Sequence, residues 1–143
     1  MNLDIKIKKL HENARIPLYA TPGAACFDIH ALHECWVNPG AVALVPTGLA
    51  MEIPPGWRLD LYSRSGHGAR SVSLANSVGK IDSDYRGELM VLIANRGDED
   101  FVIRPGDRIA QGEVNRVTPV YFIEVDELEP SDRGQGGFGS TGA

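Results

Sequence analysis

The sequence predicts an all-β domain, and three observations carry that reading. Apolar and polar residues alternate with a period of two in several short runs, turn signatures separate those runs, and 16 Gly and 9 Pro in 143 residues leave little room for long helices. Strands recurring every ten or so residues describe a sandwich, a jelly roll or a barrel. A chain of this length buries about two-thirds of the surface its unfolded form exposes, which supports one core and not two.

The elements follow in order. Leu3, Ile5 and Ile7 alternate with Asp4, Lys6 and Lys8, the pattern of a half-buried opening strand. The pattern returns at Val42 and Leu44, at Leu49, Met51 and Ile53, and at Trp57, Leu59 and Leu61 with Arg58, Asp60 and Tyr62 between them. Further strands are expected over Val72 to Leu74, Leu89 to Ala94, Phe101 to Ile103, Ala110 to Val117 and Val120 to Val125. Asn38-Pro39-Gly40, Pro54-Pro55-Gly56, Asn95-Arg96-Gly97-Asp98 and Arg104-Pro105-Gly106-Asp107 supply the turns. A short helix over Ser71 to Val78 is the one competing element, though its serines and β-branched residues disfavour it.

Composition excludes several functions. With 43% hydrophobic and 23% charged residues the chain is ordinary for a folded domain. A net charge of −5 argues against a nucleic-acid coat or a binder of anionic membranes, so any phosphate chemistry needs a local cluster of positive charge. No apolar run reaches membrane-spanning length, and Met1 to Leu10 alternates where a signal peptide needs an unbroken apolar core, so a cytoplasmic protein is expected. Cys26 and Cys35 lack CxxC spacing; the residues leave open whether they pair. His11, His30 and His33 have no HxH or HExxH spacing, and no zinc site is expected.

Four stretches could carry chemistry. Arg64-Ser65-Gly66 follows a strand, where a guanidinium, a hydroxyl and a bare glycine N–H can converge on a phosphate, or simply make a turn. His67 beside it has nothing nearby to orient it and is expected to face solvent. In Asn76 to Glu88 (NSVGKIDSDYRGE), Asp82 and Asp84 would share one side of an extended segment, Asn76 offers both a donor and an acceptor, and Tyr85 offers a flat wall; a polar hairpin with Asx turns is the plainer alternative. Asp28 lies among small and apolar residues, a costly place for a carboxylate unless a cation or hydrogen-bond donors accompany it. From Pro130 the chain reads PSDRGQGGFGSTGA, either a disordered end or a lid whose Arg133, Phe138, Ser140 and Thr141 order around a nucleotide.

Read together, these stretches resemble the trimeric dUTPase family, with five motifs in that family's order: Pro22 to Leu32 (PGAACFDIHAL), Ser63 to Gly66 (SRSG), Asn76 to Leu89, Gly106 to Gln111 (GDRIAQ) and Arg133 to Gly142 (RGQGGFGSTG). The resemblance implies a distorted jelly-roll β-barrel over residues 1–129, a flexible Gly-rich C-terminal arm over 130–143, and a homotrimer with active sites shared between subunits. It implies Mg-assisted hydrolysis of dUTP to dUMP and pyrophosphate, without nucleic-acid or membrane partners. In that pattern Asp82 activates the attacking water and meets the sugar, and Tyr85 stacks on the deoxyribose. Asn76, Gly79 and the backbone of Lys80, Ile81 and Asp82 read uracil, with a main-chain contact from Met90. Arg64, Ser65, Gly66 and Gln111 hold the phosphates, and Asp28 holds Mg²⁺ through water. Arg133, Phe138, Gly139, Ser140 and Thr141 close over the substrate. After SRSG, members of the family carry a basic residue and Gly before the next strand, whereas Gly68-Ala69-Arg70-Ser71-Val72 is altered and one residue shorter. The rival readings are a deaminase of dCTP on the same fold, alone or combined with dUTP hydrolysis, and a nucleotide-dependent regulatory binding protein. The complete third and fifth motifs favour the hydrolase.

Overall fold

The computed structural model describes residues 3–142. Eleven strands and one helical turn succeed one another: β1 (Lys6–Lys9), β2 (Leu18–Tyr19), β3 (Phe27–His30), β4 (Cys35–Val37), β5 (Val42–Glu52), β6 (Trp57–Tyr62), α1 (Ser65–Gly68), β7 (Val72–Leu74), β8 (Gly79–Ile81), β9 (Glu88–Asn95), β10 (Phe101–Ile103) and β11 (Arg108–Arg116). The strands form three sheets, ordered β1-β5-β9-β7, β10-β4 and β2-β3-β11-β6-β8, with every pairing antiparallel and no closed barrel among the described residues. The all-β expectation holds.

Alternation explains how the sheets meet. Ile29, Leu49, Leu59, Leu61, Ile93, Ile103 and Ile109 point inward and belong to one contiguous core, so each sheet has one apolar face on its neighbour. β5 runs unusually long because it bends. Its pairing with β9 shifts between Pro46 and Ala50, and Gly48 there takes φ +72° in a space where a methyl group would sit 2.9 Å from Ala14 Cβ. Side chains supply hydrogen bonds that the shifted ladder does not. Thr47 Oγ1 donates to the Leu89 carbonyl at 2.6 Å, and the Gly48 N–H donates to Glu88 Oε1 at 2.8 Å.

Two expected elements fall elsewhere. No helix occupies Ser71 to Val78; the helical turn lies earlier, at Ser65–Gly68, and Val72–Leu74 pairs with β9 instead. Val120 to Val125 is not a strand. A strand needs another strand's N–H and C=O groups. Among the described residues no strand pairs with this segment, and Tyr121 and Phe122 are 93% and 95% exposed. Regular structure ends at Arg116, and the Val117 N–H donates to the Gly56 carbonyl at 2.8 Å just beyond it. No described helix is long and apolar enough to cross a membrane.

Candidate active site

The five-stranded sheet positions most of the candidate residues. Register places Gln111 opposite Asp28 on one side and Tyr62 on the other, so these three side chains form a row across β3, β11 and β6 on one face. The opposite face of the same strands carries the buried Ile29, Ala110 and Leu61. Two residues beyond Tyr62, Arg64 leaves the strand end and brings its guanidinium Nε to 3.7 Å from Asp28 Oδ1. Arg108 Nη1 lies 3.7 Å from the other oxygen, Oδ2. Gly112 follows Gln111, and the ring of Phe27 rests on its backbone where a side chain would collide with it.

The Asp28 carboxylate is 10% exposed, so the cost of burying it is offset by two cations, as its surroundings in the sequence required. Neither contact is short enough for a hydrogen bond. Asp28 Oδ1, Arg64 Nε and His30 Nδ1 are all buried and lack a partner. Native interiors rarely leave such groups unmatched, and an unmatched acceptor beside an unmatched donor has room for a water, an ion or a ligand between them. An oxygen-bearing anion satisfies the guanidinium, and a water held by a cation satisfies the carboxylate. Burial, then Arg15, keeps the His30 pKa below the usual histidine value.

Arg64 also caps the helical turn, its carbonyl accepting from the N–H groups of His67 and Gly68 at 3.1 and 3.0 Å. The N–H groups of Ser65 and Gly66 open that turn and have no intrahelical acceptor. His67 corrects the expectation of a solvent-facing side chain. It is half-buried, packing edge-on against Phe101 at 5.1 Å between ring centroids, and Arg70 lies over the same ring at 4.9 Å. Burial, with the positive charge of Arg64 and Arg70, lowers the His67 pKa. The loop after the helical turn closes with Ser71 in the left-handed conformation, φ +57°. Arg64, His67, Arg70, Asp107 and Arg108 line a cavity of about 210 Å³.

The third motif is built on the edge of the same sheet. β8 pairs with β6, Gly79 opposite Leu61 and Lys80 opposite Asp60. Gly79 lets the strands and Asn76 pack closely: a methyl group there would lie 3.2 Å from Leu61 Cβ and 3.5 Å from Asn76 Nδ2. Asn76 therefore folds over Gly79 through a tight turn in which Ser77 has φ +62°. Asp82 and Asp84 correct another expectation. They lie in a turn closed by the Tyr85 N–H donating to the Asp82 carbonyl at 3.2 Å, so extended alternation does not align them. Tyr85 Oη donates to the Glu88 carbonyl at 2.9 Å, and its ring lies on Gly87 where a side chain would collide. Opposite Met90 stands Pro46, which has no N–H to give it.

Sequence reasoning missed Asp60. It is 1% exposed, yet it accepts from Arg58 Nε at 2.9 and 3.1 Å, Asn115 Nδ2 at 3.0 Å and Lys80 Nζ at 3.3 Å. This network ties the motif-bearing hairpin to β6 and β11. Its only signal in the sequence is a carboxylate in the middle of an apolar strand. Arg133, Ser140, Thr141 and Phe138 are exposed, and Arg133 Nε donates to the Gly136 carbonyl at 2.7 Å within the tail itself. Cys26 and Cys35 are free thiols.

Fold and site define an all-β protein with a polar sheet face suited to an anion beside a hydrated cation, flanked by a hairpin that presents an amide, a carboxylate and an aromatic ring. Comparisons with known proteins place the chain in a family. The dUTPase family model matches residues 12–142. The deoxyuridine 5'-triphosphate nucleotidohydrolase of Helicobacter hepaticus is 50% identical over 99% of this chain and 90% of its own, and that of Helicobacter pylori strain Shi470 is 45% identical over 98% and 97%. The Staphylococcus bacteriophage 80alpha dUTPase with dUPNHPP superposes with a TM-score of 0.91 at 27% identity, covering 99% of this chain and all of that one. This chain belongs to the dUTPase family.

Proposed function

We propose that this protein is a dUTP diphosphatase: it hydrolyses dUTP to dUMP and pyrophosphate. The observation that carries the reading is the unmatched pair at its polar face, buried Asp28 Oδ1 beside buried Arg64 Nε, in a chain that belongs to the dUTPase family. Arg64 Nε and the first-turn N–H groups of Ser65 and Gly66 hold phosphate oxygens, with Gln111, in the same row as Asp28, completing the set. The donor set fits Mg²⁺ bound to the triphosphate, because Asp28 offers one unmatched buried oxygen to a water of an ion that retains several waters. When bound, the metal neutralises charge on the phosphates and so lowers the barrier to attack by water.

Asp82 orients a water against the α-phosphorus and takes its proton as the new P–O bond forms. The bond from the α-phosphorus to the bridging oxygen breaks on the opposite side, and pyrophosphate leaves with the electron pair. Asn76 and the backbone of Gly79, Lys80 and Ile81 match the uracil edge, and Met90 adds a main-chain contact. Tyr85, held by Glu88 and Gly87, stands against the sugar and leaves no room for a 2′-hydroxyl.

The same reading makes the protein a homotrimer of distorted jelly-roll subunits with shared sites. Two features support it. Ile5, Ile7, Ile16 and Trp57 line an open groove, and Val120 to Val125 is an exposed apolar run, the kind of surface that a neighbouring subunit covers. The tail's backbone hydrogen bonds lie within the tail, so Arg133, Phe138, Gly139, Ser140 and Thr141 are available to a neighbour's site. Residues 130–143 act as the closing arm.

A substrate panel tests the function. With Mg²⁺, pyrophosphate release from dUTP exceeds that from dCTP, dTTP and UTP by orders of magnitude. Equal turnover of all four, or ammonia release from dCTP, refutes the reading.

A further inference from the structure

β11 departs from strict alternation once. Ile109 and Ala110 are consecutive and both buried, at 1% and 0% exposed, and the register with β3 shifts between Arg108 and Ala110. Arg108 therefore faces His30 while Gln111 faces Asp28, although the two are three residues apart. In an unbroken strand such residues project to opposite faces, and Arg108 would point into the core with Ala110. The extra residue returns it to the polar face. Bulges of this kind re-aim a side chain at the expense of local pairing.

The re-aimed guanidinium meets the carboxylate oxygen of Asp28 that Arg64 does not. Arg64 Nε lies 3.7 Å from Oδ1, and Arg108 Nη1 lies 3.7 Å from Oδ2. At that distance both cations attract the carboxylate without filling its lone pairs. With both in place the carboxylate is drawn from two sides, and Oδ1 stays unmatched. With Arg64 alone the attraction is one-sided, and closing the gap would make a hydrogen bond that occupies Oδ1 and Nε together.

We propose that Arg108 is a positioning residue for Asp28. It holds the carboxylate away from Arg64, leaving Oδ1 for a water of the divalent cation and Arg64 Nε for a phosphate oxygen. The inference rests on the role given to Asp28 above and adds a residue to which the family resemblance assigned no part.

The test is calorimetric binding of dUPNHPP to the full chain, with Mg²⁺ and with EDTA, for the native protein, Arg108→Ala, Arg108→Lys and Asp28→Asn. Groups that orient a metal site through another residue typically change affinity about 10- to 100-fold. Arg108→Ala is expected to reduce the gain in affinity due to Mg²⁺ by that factor, while affinity in EDTA changes by no more than a few-fold. Arg108→Lys keeps the charge and restores most of the gain, and in the Asp28→Asn background Arg108→Ala has no further effect. An equal loss with Mg²⁺ and with EDTA would make Arg108 a direct phosphate ligand or a structural residue, and would overturn the proposal. So would an unchanged Mg²⁺ gain in Arg108→Ala. If the native protein binds dUPNHPP without any Mg²⁺ gain, the role of Asp28 itself fails; if it does not bind dUPNHPP, the proposed function fails first.

Discussion

Replacing Asp60 with Asn probes the network beneath the substrate hairpin. The carboxylate is almost fully buried and receives bonds from Arg58, Asn115 and Lys80, so the change removes the charge while retaining the shape. Breaking a buried ion pair costs about 3–5 kcal/mol when the remaining charge is stranded. Here Arg58 is 32% and Lys80 57% exposed, so both cations recover water, which reduces the cost to about 2–4 kcal/mol. For a domain of this size that lowers the melting temperature by roughly 6–15 °C at pH 7. The pH dependence gives a second, independent reading. Burial raises the Asp60 pKa, but hydrogen bonds from Arg58, Asn115 and Lys80 outweigh burial and hold it below the ordinary value. Its contribution to stability is therefore fully present above about pH 4, the unfolded value, and is lost as pH falls through the lower folded value. Thermal melts followed by circular dichroism between pH 7 and pH 3, at one protein concentration, measure both effects. The native protein loses more stability than Asp60→Asn over the acid limb, so the two curves converge. Parallel curves, or a melting temperature at pH 7 within a degree of native, would refute the reasoning.

Three further outcomes test the site. Asp82→Asn should lower turnover by about 10²–10⁴, the usual contribution of a general base, while calorimetry still detects nucleotide binding; retained turnover removes Asp82 from that role. Truncation before Arg133 should cripple pyrophosphate release without changing the melting temperature, because the described tail bonds only to itself; normal turnover would show the arm is dispensable. Gly87→Ala should push the Tyr85 ring outward and break its bond to Glu88, raising UTP hydrolysis relative to dUTP with little loss of stability; an unchanged UTP to dUTP ratio would separate Tyr85 from sugar selection.

Much of the fold was legible locally. Period-two runs and Gly/Pro turns identify strands because side chains on a pleated backbone alternate between core and solvent. Val120 to Val125 shows the limit of that rule: its residues favour a strand, but pairing depends on what lies beside it, and among the described residues no strand pairs with it. The misplaced helical turn is of the same kind, since Ser71 to Val78 contains a strand that β9 recruits and a turn that Ser77 closes.

The sequence by itself determined the all-β class and the family motifs, and it singled out Asp28, Arg64, Asp82 and Tyr85 as candidates, because each lies in a contiguous stretch whose chemistry is local; Gln111 came from the family resemblance alone. Only the tertiary structure decided which of them face one another. Register across β3, β11 and β6 puts Asp28, Gln111 and Tyr62 in one row, Phe101 gathers His67 against its edge and Arg70 over its face, and the lone carboxylate of β6 becomes the centre of four donor contacts. Arg108 is the sharpest instance. Ile109-Ala110 hints at a break in alternation, but which side chain a bulge re-aims depends on where the partner strand absorbs the extra residue, and that is a property of the pairing and not of either strand alone.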